Sequence, residues 1–379
     1  MKCYNCNTIE HEPGASFCHL CGTRLSAPTG MNKSFFEEAG SFSEGLAMVR
    51  INGKAGLIDK TGRVVVHPHF LRIGASNHTN TFTYYNFYDG FSEGLIAASI
   101  GEYPSIFYGC IDHKGDFVVQ PKYDLLGTFR EGLAPFLRSG LWGYVNKQGV
   151  EVIPPAFRDA NSFSNGIAAV RTNNNRAVFI DKAGHIVLEK TKNRFFSWNN
   201  DHFPLSKDEF YRVHNFNDGW AKVECFSSGV KGFIDSVGNF IRIRYDSFGN
   251  FNEGLAWFYV KNLTKCGFID TRLKVVIEAR FDQAGDFHDG LATARLGGKW
   301  GYINKTGQWA IPCQYDKALP FQEHLAAIAI DDKYGYIDRS GNMVVQPRFS
   351  NVQPFSEGLA AVEENGKWGF IDKTGEYAF

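Results

Sequence analysis

The chain has 379 residues with 40 basic and 40 acidic side chains, so it carries no net charge, which speaks against a strongly basic nucleic-acid binder. Aromatics make up 15% of residues, with 34 Phe and only 4 Met, and 40 Gly beside 13 Pro give a turn-rich β composition. The opening MKCYNCNTIE has no apolar signal-peptide core, and no run of about 18 apolar residues occurs anywhere. Neither export nor a membrane span is expected, and the expected location is cytoplasmic.

Cys3 and Cys6, then Cys18 and Cys21, form two Cys-x-x-Cys pairs. Each pair offers two thiolates to a shared metal, the arithmetic of one tetrahedral zinc site. Four thiolates leave no open coordination position, so the expected Zn2+ is structural and single. A segment of this size buries little core, and metal binding would be what folds it. Residues 1–25 resemble the short zinc ribbons at the N-termini of many bacterial proteins, which implies a contact with protein or nucleic acid. Cys110, Cys225, Cys266 and Cys313 form no close pair and read as buried small hydrophobes in strands.

A short linker, residues 26–34, leads into a repeat that fills residues 35–379. Its first mark is an octet of the form FSEGLAMV at Phe42. It returns as FSEGLIAA at Phe91, FREGLAPF at Phe129, FSNGIAAV at Phe163 and FNDGWAKV at Phe216. The remaining copies are FNEGLAWF at Phe251, FHDGLATA at Phe287, FQEHLAAI at Phe321 and FSEGLAAV at Phe355. The basic period is roughly 34 to 36 residues. A second mark, WGYVNKQG from Trp142, WGYINKTG from Trp300 and WGFIDKTG from Trp368, follows each octet in full or degenerate form. A third is a β-branched run ending in proline and an aromatic, as in VVVHPHF and MVVQPRF. Each mark is short, alternating or β-branched, and bounded by turn residues, so the unit is read as three antiparallel strands.

Between the second and third strands stands Asp or Asn with Gly three residues later, as in Asp59 and Gly62 or Asn304 and Gly307. An Asx side chain there can bond a turn's backbone while the Gly adopts positive φ. The Glu-Gly pair of the octet is expected to do similar turn work. The Gly of the WG pair would let a neighbouring group approach closely. These residues resemble the WG (or KWG) repeats of bacterial proteins over about residues 35 to 379. The resemblance implies an all-β scaffold without established catalytic residues, commonly joined to other modules. The fourth copy departs most, with Ala177, Val178 and Phe179 in the Trp-Gly-Tyr slots, so its packing does not follow from the pattern.

Units of this size must stack to share a core. Nine copies of this length suit a four-stranded propeller poorly, so an open β-solenoid-like arc is favoured, with a closed propeller-like ring as the alternative. One feature favours the ring: the chain enters the array on FFEEAGSF and leaves it on GEYAF, two fragments that together would complete one unit.

No phosphate loop, metalloprotease pair, nucleophile elbow or EF-hand loop occurs. Acids that recur once per unit read as turn residues rather than catalysts, and Trp142, Trp300 and Trp368 read as packing. Two insertions, 71–90 and 190–215, interrupt the period and place aromatics on loops, where recognition usually lives. Tyr84 and Tyr85 in the first, with Phe195, Phe196, Trp198, His202 and Phe203 in the second, are the candidate partner-binding residues. The expected function is a non-catalytic scaffold or adaptor that binds a protein partner through the array and its insertions. A nucleic-acid-binding adaptor and a carbohydrate-binding module are the alternatives.

Overall fold

A computed structural model describes residues 35–74, 90–102, 104–174, 176–188, 210–225 and 230–379. Among these residues there is no helix, and hence none long and apolar enough to cross a membrane. The chain divides into two compact units, one joining the residues before Phe129 to Tyr315–Phe379 and the other spanning Phe129–Gln314.

In the first unit, β1 (Glu38–Ala39), β2 (Leu46–Ile51), β3 (Lys54–Asp59) and β4 (Val64–Phe70) pair in chain order as one antiparallel sheet. The next sheet repeats this with β5 (Arg72–Ile73), β6 (Ile96–Glu102), β7 (Ser105–Ile111) and β8 (Phe117–Tyr123). The expectation of three strands is therefore corrected to four. In these two sheets the added strand is only two residues long, and Arg72–Ile73 comes from the tail of the preceding copy, just past its Pro-x-aromatic mark, so sheet and sequence repeat are out of phase. Its shortness hid it, because two residues carry no alternation to read.

The long strands show why these segments fold as they do. β2 and β3 are buried on both faces, as in BBBB-type runs of LAMV and AGLI, because each sheet is covered by a neighbour on either side. β4 alternates buried and open positions and forms the sheet edge, where proline tolerates the missing partner for its absent N–H. Its pairing with β3 shifts between Ala55↔Phe70 and Leu57↔Val66, which leaves Gly56 facing a bulge. A Cβ on Gly56 would stand 2.6 Å from the Val66 carbonyl oxygen and 2.8 Å from the Pro68 nitrogen. Gly109, Gly143, Gly267, Gly301 and Gly335 meet the same obstacle. The glycine of the WG mark and the bulge of the third strand are thus two halves of one device.

The fourth copy tests this reading. Val178 takes the glycine slot, and the third strand there is only Ile186–Leu188, paired to Phe179 and Ile180. Farther along, Ala177 pairs with Phe210 of the following strand, so the fourth and fifth copies share one continuous sheet in the second unit. The departure nevertheless packs well: Ala177, Val178, Phe179 and Ile180 are all buried between neighbouring sheets.

The open arc is corrected at its ends. Within the first unit, Ile371 bridges to Tyr377 and Trp368 bridges to Phe36, the registers that Ile58↔Val64 and Ala55↔Phe70 hold in the first sheet. The C-terminal segment supplies the start of the last sheet's third strand and the N-terminal segment supplies its end. Phe36, Phe42, Phe370 and Phe379 close over this join as one buried cluster. Such a join is what the closed, propeller-like alternative requires and an open arc does not have. Cys110 and Cys266 are buried as expected, with burial pushing both thiols up, whereas Cys313 on an edge strand is half-buried.

Candidate functional site

The recurring acids come first, because they are the obvious suspects for chemistry. At the hairpin between the second and third strands, Asp59 Oδ1 accepts from the amides of Thr61 and Arg63, and Gly62 has φ of 77°. The same two bonds recur at Asp112, Asn146, Asp181, Asp235, Asp270, Asn304, Asp338 and Asp372. Burial pushes the Asp372 carboxyl up, but the Thr374 hydroxyl and the turn amides outweigh it and hold it below 3.8. These are turn residues, as the spacing predicted.

The octet acids do more than the expected turn work. Glu44 and Gly45 both have positive φ, 50° and 85°, and Ser43 and Leu46 exchange both backbone bonds around them. That is a two-residue hairpin turn, in which a non-glycine left-handed residue is strained. The carboxylate then reaches into the next copy. Glu44 accepts from the Gly94 amide and meets His113 at 3.1 Å. Glu131 does the same with Gly166 and Lys182, Glu253 with Gly290 and Lys305, and Glu323 with Gly358 and Lys373. Glu357 of the last copy returns to Gly45 and Lys60 of the first. Each hook ties one sheet to its neighbour, a reach between copies that no single octet shows.

With those acids committed to structure, the departures from the repeat stand out. The seventh octet position is buried Met48, Ala97, Pro135, Ala169, Ala327 and Ala361 in six copies, where it packs between sheets. In the fifth to seventh copies it is Lys222, Trp257 and Thr293. The second octet position changes in the same three copies, as it also does to Arg130 and Gln322 in the third and eighth. Ser43, Ser164 and Ser356 elsewhere donate to the carbonyl of the next copy's Phe, but here Asn217 meets Asn252 and Asn252 meets His288, each at 3.4 Å. All lie in the second unit.

Two glycines make room for this cluster. A Cβ on Gly249 would stand 2.3 Å from Trp257 Nε1 and 2.8 Å from Asp286 Oδ1, and one on Gly285 would stand 2.5 Å from Thr293 Oγ1. The Trp257 indole N–H and the Asp286 carboxyl both crowd Gly249, and Asp286 Oδ1 is enclosed and meets no donor among the described residues. Burial pushes this carboxyl up from 3.8, with His288, the indole N–H and Lys222 pulling the other way. The Lys222 ammonium donates to the Phe248 carbonyl at 2.9 Å and lies over that ring. A singular carboxylate, imidazole, ammonium, indole and amide row is what a recognition site needs and a purely repeating scaffold does not. The signal was present in the octets WAKV, LAWF and LATA, set against LAAV.

Cys3, Cys6, Cys18, Cys21, Tyr84, Tyr85, Phe195, Phe196, Trp198, His202 and Phe203 lie outside the described residues. Among the described residues no group of three His, Cys, Asp or Glu side chains could hold a metal ion. Trp142, Trp300 and Trp368 are half-buried, and Trp142 and Trp368 pack against core clusters.

Fold and site together define an all-β repeat protein whose sheets interlock through shared strands and carboxylate hooks. A family model described as "WG containing repeat" matches residues 36–54, 108–142, 142–175, 232–263, 267–300, 300–334 and 334–368, more than half of the chain. The chain belongs to the WG repeat family. The segments left unmatched include both insertions. No curated protein matches. Among solved structures, the chain is similar to the computationally designed Ika8 protein at 11% identity, covering 74% of this chain and 94% of that one with a TM-score of 0.42. It is similar to BamB from Moraxella catarrhalis at 11% identity, covering 80% and 96%, TM-score 0.40. For virginiamycin B lyase from Staphylococcus aureus the values are 13%, 64% and 92%, TM-score 0.34. Likeness this loose carries no argument about what the chain does.

Proposed function

We propose that this chain is a non-catalytic cytoplasmic adaptor: an all-β WG-repeat array that binds a protein partner through the array and its insertions, with a structural zinc ribbon on Cys3, Cys6, Cys18 and Cys21. The observation that carries the reading is the use of the repeat acids. The hairpin Asx residues bond backbone amides, and the octet glutamates tie neighbouring copies. Rigid repeat scaffolds of this kind present loops, and loops recognise partners.

The test places a photo-crosslinking residue at exposed Val187, beside that insertion, and another at exposed Leu263 as a control. A protein crosslinked at Val187 in native cells, absent from Leu263 and lost when residues 190–209 are replaced by a Gly-Ser linker, supports the adaptor. Equal crosslinking at both positions, or none, overturns it. Copurified nucleic acid whose retention falls steeply with salt moves the reading to the alternative. One zinc per chain, lost in Cys18→Ala/Cys21→Ala, is the expected metal content.

A further inference from the structure

We propose that the polar cluster of the fifth to seventh copies is a binding site for a neutral, hydroxyl-rich ligand, a saccharide, taken up by Asn217, Asn252 and His288 against the Trp257 indole. The site is independent of the insertions and of the protein-binding reading above. Its groups are built in rather than scattered: three consecutive copies change at both the second and the seventh octet position, and Gly249 and Gly285 clear the space for Trp257 and Thr293.

The amide row has unspent capacity. Each Asn carries two N–H donors and a carbonyl acceptor, yet Asn217, Asn252 and His288 touch one another only at 3.4 Å, the long edge of a hydrogen bond. Planar amides and an imidazole side by side suit adjacent hydroxyls, each of which both donates and accepts. Trp257 is half-buried, packed on the cluster around Leu255 and Phe287, and offers the flat apolar surface on which a sugar ring's C–H face rests.

Charge selects a neutral ligand. The Lys222 ammonium and the Asp286 carboxyl attract and so offset one another, the charge of His288 acts on both Asp286 and Glu253, and Glu253 is paired with Lys305. A cationic ligand would meet Lys222 and an anionic one Asp286. Asp286 is a positioning residue: its carboxyl and the Trp257 indole N–H share the space beside Gly249.

Saturation-transfer NMR of the full-length protein with glucose, galactose, mannose, N-acetylglucosamine and maltose, beside glucuronate and glucosamine, tests this. The expected result is transfer to at least one neutral sugar, lost in Asn252→Ala, and weakened about tenfold in affinity by Trp257→Phe. Asp286→Asn should weaken it less while leaving the protein at least as stable to heat. Deleting residues 190–209 should leave it unchanged, which separates this site from the adaptor reading. Absence of transfer from every neutral sugar, preference for either charged one, or full binding by Asn252→Ala with wild-type melting overturns the proposal.

Discussion

Glu323→Ala should loosen one joint between neighbouring sheets without touching any core residue. The Glu323 carboxylate accepts from the Glu357 amide at 2.5 Å and the Gly358 amide at 3.0 Å, and meets Lys373 at 3.1 Å. Hydrogen bonds to a charged acceptor contribute about 1.5–3 kcal/mol each, but the Glu323 side chain is 30% exposed, so water replaces part of what is lost. The exposed lysine pair adds little. A net loss of about 2 kcal/mol follows, or roughly a thirtyfold rise in local opening at about 1.4 kcal/mol per decade. Hydrogen exchange reads this directly at the Gly358 amide, with the Gly290 amide, hooked by Glu253, as the unchanged control. The pH dependence supplies a second check. Burial pushes the Glu323 carboxyl up, but Lys373 and the two amides outweigh it and hold it below 4.5. A depressed carboxyl contributes stability that is fully present above 4.5 and lost as pH falls through its folded value. The difference between wild type and Glu323→Ala should therefore shrink in acid below pH 4.5. Equal exchange at Gly358 in the two proteins at neutral pH would refute the idea that the octet acids tie copies together.

Three further outcomes follow from the same geometry. Gly301→Ala forces a methyl to 2.6 Å from the Ile311 carbonyl oxygen, and should cost about 1–3 kcal/mol in a urea titration, whereas Gly298→Ala in the open turn nearby strains only φ. Phe36→Ala empties a position that is 1% exposed at the join of the two chain ends, at about 3–5 kcal/mol; limited proteolysis should then cut first at the termini, and an unchanged digestion pattern would contradict the join. Asp286→Asn should raise the melting temperature at neutral pH. Burial raises the Asp286 carboxyl above 3.8, and a raised acid contributes stability present below 3.8 and lost as pH rises through the folded value, so the advantage of Asn should fade on acidification. A constant difference across that range would mean that the carboxyl ionises without penalty.

What the sequence made legible depended on whether a residue's role lies within one copy or between copies. Asp59 with Gly62, the Glu44-Gly45 turn and the glycine of the WG mark were readable because each acts over a few residues of backbone. The reach of Glu44 to Gly94, 50 residues away, was not, since nothing in the octet says where its carboxylate points. The fourth strand was illegible for a different reason: Arg72–Ile73 is too short for a period and belongs by sequence to one copy and by hydrogen bonding to the next. The end fragments FFEEAGSF and GEYAF did announce the join, because phase is a property of the whole repeat. Nine copies of about 34 residues suited four-stranded blades poorly because the fourth strand, two residues long, left no mark in the copy.

A repeat also sets its own standard for what counts as unusual. In a chain without internal copies, Lys222, Trp257 and Thr293 would be three unremarkable strand residues. Here six sister positions hold Met, Pro or Ala packed between sheets, and that packing is the lowest-cost solution the scaffold has. Replacing it in three adjacent copies introduces an ammonium, an indole and a hydroxyl, and one carboxylate oxygen is enclosed without a donor among the described residues. Each of these works against stability in an apolar layer. Folding alone would favour alanine at all three, and Ala169, Ala327 and Ala361 show that the same strands accept it. If the cluster served only packing, Trp257→Ala with Asp286→Asn should be less stable than wild type, because Trp257 packs on the core cluster around Leu255 and Phe287, and should match wild type in every binding assay. A double variant that gains stability and loses a ligand would show that the polar residues are kept for recognition.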